Sequence, residues 1–354
     1  MSYTNGLDKP SDYFNTILWT GDGTASQPQT GVGFQPDWVW IKTRSTTGGH
    51  NIFDSVRGAT KILGSDNTNA ESTNTDSLTS FDSDGFTLAG SGGTSFSGRT
   101  YAGWSWLAGG TASSNTDGSI TSSVSASTTS GFSIVSYTGT GANATVGHGL
   151  NSAPEMIIVK NRIDAGLNWV TGCEYYSGWD YVIELNLTDA ESNAGGAPTV
   201  FTTTPPTSSV YSVGTAANSN GSGDGIIAYC FHSVKGYSKI GSYTGNGSTD
   251  GTFVYTGFKP AFVMIKRSDT GGTGYNWFML DNKRGTYNPV NPFLKANASD
   301  AESTASWSKY DFLSNGFKLR DSDISINASG GTYIYMCFAE NPFVTSTGVP
   351  TTAR

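Results

Sequence analysis

Apolar residues along this chain come in short runs separated by stretches of Gly, Ser, Thr, Asn and Asp, and one run recurs three times. It reads PDWVWIK at Pro36–Lys42, PEMIIVK at Pro154–Lys160 and PAFVMIK at Pro260–Lys266. Near-continuous apolarity over so short a length predicts a strand covered on both faces. Proline suits a strand's first residue, where a missing N–H is tolerated. The closing lysine is expected at the water boundary.

Three further landmarks keep the same order. An aromatic-Thr-Gly-x-Gly stretch precedes each run, at Trp19–Gly23, Tyr137–Gly141 and Tyr243–Gly247. Ala-Glu-Ser follows it, at Ala70–Ser72, Ala190–Ser192 and Ala301–Ser303, with Asn69, Asp189 and Asp300 placed to cap a single helical turn. An apolar strand closes each copy, at Thr100–Trp106, Gly225–Phe231 and Thr332–Phe338. Cys230 and Cys337 align with Ser105, as packing residues would. Each copy offers about six to eight short strands and nothing long enough for a substantial helix. The predicted fold is all-β: three tandem antiparallel β-sandwich repeats, jelly-roll or concanavalin-like. The divisions fall at 1–110 (N-terminal arm and first repeat), 111–236 (linker and second repeat) and 237–354 (third repeat and C-terminal tail). Residues 1–12 have no counterpart in the other copies and read either as a tail or as a docking segment.

Composition narrows the function. Only 14% of the 354 residues are charged and the net charge is −8, so there is no basic field to displace counterions from phosphates, and nucleic acid is not an expected partner. The three cysteines, Cys173, Cys230 and Cys337, are far apart and form no C-x-x-C pair, so neither a disulfide framework nor a zinc site is expected. Residues 1–30 show no basic region followed by an apolar run, and no apolar stretch reaches bilayer length. Neither a Sec signal nor membrane insertion is expected.

Candidate chemistry is sparse. Asp82-Ser83-Asp84-Gly85 resembles the start of a calcium loop, but the third copy has Leu313-Ser314-Asn315-Gly316 there, and the later ligands of a twelve-residue loop are missing. A hairpin turn with positive φ is the expectation, and no metal or cofactor is assigned. Asp-x-x-Arg-Gly occurs at Asp54–Gly58 and Asp281–Gly285 but not in the second copy. Arg57 and Arg284 read first as structural ion pairs and second as ligand-facing groups. The histidines His50, His148 and His232 form no cluster. No nucleophile elbow or phosphate loop is present. A glucanase-type Glu-x-Asp-x-x-Glu run is absent as well, so no catalytic residue is assigned. For sugar contact, Tyr176 and Trp179 in EYYSGWD and Trp307 in SWSKYDF are the candidates, being aromatic residues in loop-like surroundings where the copies differ. Trp19, Trp38, Trp40, Trp104 and Trp106 are assigned to packing.

The strings GFQPDWVWIKTR, FDSVRGATK, SFDSDGFTL, GFSIVSYTGTGANATVGHGL, GYSKIGSYTGNGS, GFKPAFVMIKR and LSNGFKLR resemble a repeat of tailed-bacteriophage structural proteins, common in marine phages and itself a domain of unknown function. The resemblance covers nearly the whole chain. It implies a non-enzymatic virion protein, assembled in the host cytoplasm and exposed on the extracellular particle. A tail-fibre or appendage subunit that binds other virion proteins and a host-surface glycan or protein receptor, as a homo-oligomer with a trimer favoured, is the leading expectation. A capsid decoration or cement protein is the alternative of the same class, and a polysaccharide depolymerase that of another.

Overall fold

The computed structural model describes residues 6–90, 92–193, 200–306 and 308–351. The chain is all-β, built of several antiparallel sheets with only two four-residue α-helices among the described residues, Ala217–Asn220 and Ile324–Asn327. Each of the three copies contributes one larger sheet with the same strand order. In the first copy the strand Phe14–Thr20 pairs with Thr100–Trp106, which pairs with Trp38–Thr43, which pairs with His50–Asp54. Phe132–Thr138, Gly225–Phe231, Met156–Asn161 and Val170–Cys173 repeat this order in the second copy, and Ser238–Thr244, Thr332–Pro342, Phe258–Arg267 and Phe278–Asp281 in the third. The recurring apolar run is thus a central strand, which accounts for its lack of alternation.

Its two faces point into different cores. One face of all three larger sheets meets in a single shared cluster that includes Trp38, Trp40, Trp104 and Trp106 from the first copy, Met156, Ile158, Tyr229 and Phe231 from the second, and Phe262, Met264, Met336 and Phe338 from the third. The opposite face of each sheet packs on a cluster of its own under a smaller sheet or hairpin. Trp19, Val39, Phe86 and Leu88 belong to the first such cluster, Ile157, Val159, Tyr211 and Val213 to the second, and Val263, Ile265, Phe317 and Leu319 to the third.

The copies are joined by equivalent contacts at three seams. Lys42, Lys160 and Lys266 are fully buried and reach into the neighbouring copy. The Lys42 ammonium donates to the carbonyls of Ser299 and Asp300, that of Lys160 to Thr68, and that of Lys266 to Thr188. The expected place at the water boundary is therefore corrected. The strand ends against the next copy, and the carbonyls there, with one from the strand's own copy, take over the hydration of the charge. Ala-Glu-Ser is corrected too. It forms no helical turn, because its glutamate N–H is used across the seam: Glu302 donates to the carbonyl of Arg44, Glu71 to Arg162 and Glu191 to Ser268. At two seams the glutamate side chain also accepts a bidentate arginine, Arg44 on Glu302 at 2.9 Å and Arg162 on Glu71 at 2.8 Å. A ring N–H completes the set. His50 Nε2 bonds the Lys295 carbonyl at 2.8 Å, Trp169 Nε1 that of Gly64 at 2.7 Å, and Trp277 Nε1 that of Glu184 at 3.1 Å. Second touches first, third touches second, and first touches third, so the succession closes on itself.

Burial lowers the three lysines from 10.5 to about 8. Below pH 8 folded and unfolded chains both hold the proton, and the cost of burying each ammonium is fully present. Between pH 8 and 10.5 only the unfolded chain keeps it, so these groups make stability rise with pH. We expect the thermal midpoint at pH 9.5 to be no lower than at pH 7.5. The Lys266→Met variant is expected to have a flatter profile over that interval. Calorimetry across this range checks both.

Candidate functional site

The positions of Arg57 and Arg284 rule out a ligand-facing role. Both side chains are fully buried, each in an ion pair with the aspartate three residues earlier. Arg57 spends all five of its N–H donors inside the protein, on Asp54, the carbonyls of Lys61 and Ile52, Glu71 and the Tyr229 hydroxyl. Arg284 bonds Asp281, Glu302 and the Met279 carbonyl, with its guanidinium 5.4 Å from the Trp104 ring centre. Each aspartate also accepts from a neighbouring copy. The Tyr229 hydroxyl donates to Asp54 at 2.7 Å, and Trp104 Nε1 to Asp281 at 3.1 Å. Burial holds the Tyr229 phenol well above its ordinary pKa, which keeps it a neutral donor.

Tyr176 occupies the same place in the second copy, three residues after Cys173, where the others have arginine after aspartate. Its ring is buried in the shared cluster and its hydroxyl bonds Thr171 Oγ1 at 2.7 Å. Trp179 is only 9% exposed. The reason lies at Gly172, opposite Ile157, where the other copies have Phe53 and Leu280. The missing side chain is replaced by the rings of Phe201 and Trp179, which come within 2.8 and 3.2 Å of where a Cβ would stand. The assignment of Tyr176 and Trp179 to sugar contact is thus corrected. The loop differs from the other copies because it fills their volume from another direction. Trp307 lies outside the described residues. The five tryptophans assigned to packing are all buried.

Asp82-Ser83-Asp84-Gly85 is a hairpin turn between the strands Leu78–Asp82 and Gly85–Leu88. Asp84 accepts from the amides of Gly33 and Gly31, which hold its carboxyl below the usual range, and Asp82 accepts from Ser80 and Thr87. The glycine serves close approach: a Cβ on Gly85 would stand 1.9 Å from the Gln29 carbonyl oxygen, and one on Gly316 2.1 Å from that of Val254. His50 has no free ring nitrogen, because Trp40 Nε1 donates to its Nδ1 while Nε2 bonds Lys295. A cleft of about 660 Å³ is bordered by Gln35, Asp37, Phe81 and Leu107. The Asp37 carboxylate there is already taken by Ser55 Oγ and the amides of Ala108 and Gly110.

An aromatic surface appears where the sequence reading assigned none. The edge strand Phe253–Tyr255 turns Val254 into the third copy's own core and leaves Phe253 and Tyr255 on the outside, 42% and 61% exposed. Phe253 lies opposite Lys318, which lies opposite Asp311. Half-buried Lys318 and Asp311 form an ion network beside the rings with the exposed Arg320 and Asp250. Such a face can cover the apolar side of a pyranose while the charged groups take its hydroxyls. The other copies have Pro28 and Thr30, or Thr145 and Gly147, at the equivalent places. That contrast is visible in the sequence, but the candidates for sugar contact come only from loop-like surroundings.

A family model described as a domain of unknown function, DUF7483, matches residues 9–342. The chain belongs to the DUF7483 family. Neither a curated protein nor a solved structure was found to match it. The DUF7483 match runs through all three copies as one stretch, as does the shared core.

Replacing Arg57 by Met removes the ion-pair partner of the buried Asp54 carboxylate in this DUF7483 protein, while Glu71 keeps Arg162, and is expected to cost about 3–5 kcal/mol in urea unfolding. Tyr255→Ala should change stability by no more than about 0.5 kcal/mol, as an outer-face substitution does. Gly316→Ala meets backbone and should cost several times that amount.

Proposed function

We propose that the chain is a non-enzymatic structural subunit of a tailed-bacteriophage particle, of the tail-fibre or appendage type, and that the outer face around Phe253 and Tyr255 contacts a host-surface glycan. In this reading each copy is a two-layer sandwich unit, and the three units act as one scaffold. The observation that carries it is the use made of the buried charged and titratable groups. Lys42, Lys160, Lys266, Asp54, Asp281, Arg57, Arg284, Glu71, Glu302 and His50 all hold copies to one another. Chemistry-bearing side chains invested in assembly suit a part that must stay rigid, and the resemblance to phage structural repeats supports the same placement. A threefold arrangement, which a fibre obtains from three chains, is met here within one.

Gold-labelled antibody against this chain should decorate tail appendages in electron micrographs of the particle. Label confined to the capsid would move the protein to a decoration role. Tyr255→Ala should lower retention on immobilised host polysaccharide at least about tenfold, the scale of a lost ring contact. Release of reducing ends from that polysaccharide by the purified chain would overturn the non-enzymatic reading.

A further inference from the structure

The seam between the third and first copies has no peptide linker, yet it carries the contacts of the seam between the first and second copies and, apart from the arginine fork, those between the second and third. The Lys42 ammonium lies on the carbonyls of Ser299 and Asp300, Glu302 N–H on the Arg44 carbonyl, the Arg44 fork on the Glu302 carboxylate, and His50 Nε2 on the Lys295 carbonyl. The covalently joined first and second copies make the matching set with Lys160, Glu71, Arg162 and Trp169. We infer that this seam is a subunit-type interface whose proper partner is another copy of the same unit, so that the protein is the single-chain equivalent of a homotrimer and the place where its chain begins is interchangeable among the three joints.

Two further observations bear on this. The first and last described segments meet: Asp8 accepts from the amide of Ser346 at 2.6 Å and from its hydroxyl. Leu7 N–H bonds the Lys235 carbonyl at the joint between the second and third copies. These two segments and one internal joint therefore lie together, and a short Gly/Ser bridge between residues 351 and 6 closes a small loop at little entropic cost. The joint between the first and second copies is also open to cutting, since Thr111 is exposed and belongs to no strand. None of this depends on the proposed virion role.

The test uses residues 6–351 in one form and the parent chain in the other. The first form is a circular permutant that starts at Ala112, runs through the bridge, and ends at Thr111. The expected result is the parent's circular dichroism, a single cooperative transition, and a midpoint within about 10 °C of the parent, the scale of a few kcal/mol in a protein of this size. The second form is the parent with a protease site inserted after Thr111, folded and then cut. The two pieces are expected to co-elute with the uncut protein on size exclusion and to reassemble after denaturation and dilution. Pieces that separate under native conditions, or a permutant without a cooperative transition, would overturn the inference.

Discussion

Each larger sheet has a face that only the other two copies can cover, and the remainder of the structure follows from that constraint. The side chains involved are among the largest in the chain. Trp38 stacks on Tyr229 at 4.6 Å and Phe14 on Phe338 at 5.1 Å, so rings from different copies meet at the centre. Burial of this much aromatic surface is the dominant favourable term available to the fold. It also removes water from the seams. A polar group there gains from a protein partner, and the lysines, glutamates and ring N–H groups that recur at matching places find one across the seam.

His50 shows how far that requirement reaches. The other copies have tryptophan at its position, each giving its indole N–H to a carbonyl across the seam. Histidine performs the same donation with Nε2, and its second nitrogen accepts from Trp40. Burial, and then the nearby Lys42 charge, push its pKa down to about 3, so the ring stays neutral with its proton on the nitrogen that faces the seam. The imidazole acts here as a smaller indole, and its proton is structural.

Much of this organisation could be read from the sequence, because strands buried on both faces must be continuously apolar and the three runs beginning at Pro36, Pro154 and Pro260 are. The equivalence of the copies was legible for the same reason. What covers the second face was not, since an apolar position does not say whether its neighbour belongs to the same copy or the next. The lysines were therefore placed in water and Ala-Glu-Ser in a helical turn. Tyr176 and Trp179 were misplaced by a related ambiguity. Difference between copies marks changing contacts with a ligand, but it equally marks one residue taking over another's volume, as Trp179 does above Gly172. Phe253 and Tyr255 escaped notice because strand pattern alone does not distinguish the inside of an edge strand from the outside.

The second copy's Cys173 stands where the other two have Asp54 and Asp281. The position that faces those aspartates is Tyr229 for the first and Trp104 for the third, both hydrogen-bond donors. The corresponding residue for the second is Met336, which has no N–H or O–H to give, and Cys173 and Met336 both lie in the shared cluster. Aspartate is paired with a donor at two seams, and a thiol and a thioether hold the corresponding places at the third. A neighbour taken out of turn would leave a carboxylate facing a thioether, with its arginine still in place but one donor short. The three copies therefore carry an address as well as a shape: the chemistry at this one position admits the cyclic order in which they are threaded and penalises a ring built from three third copies.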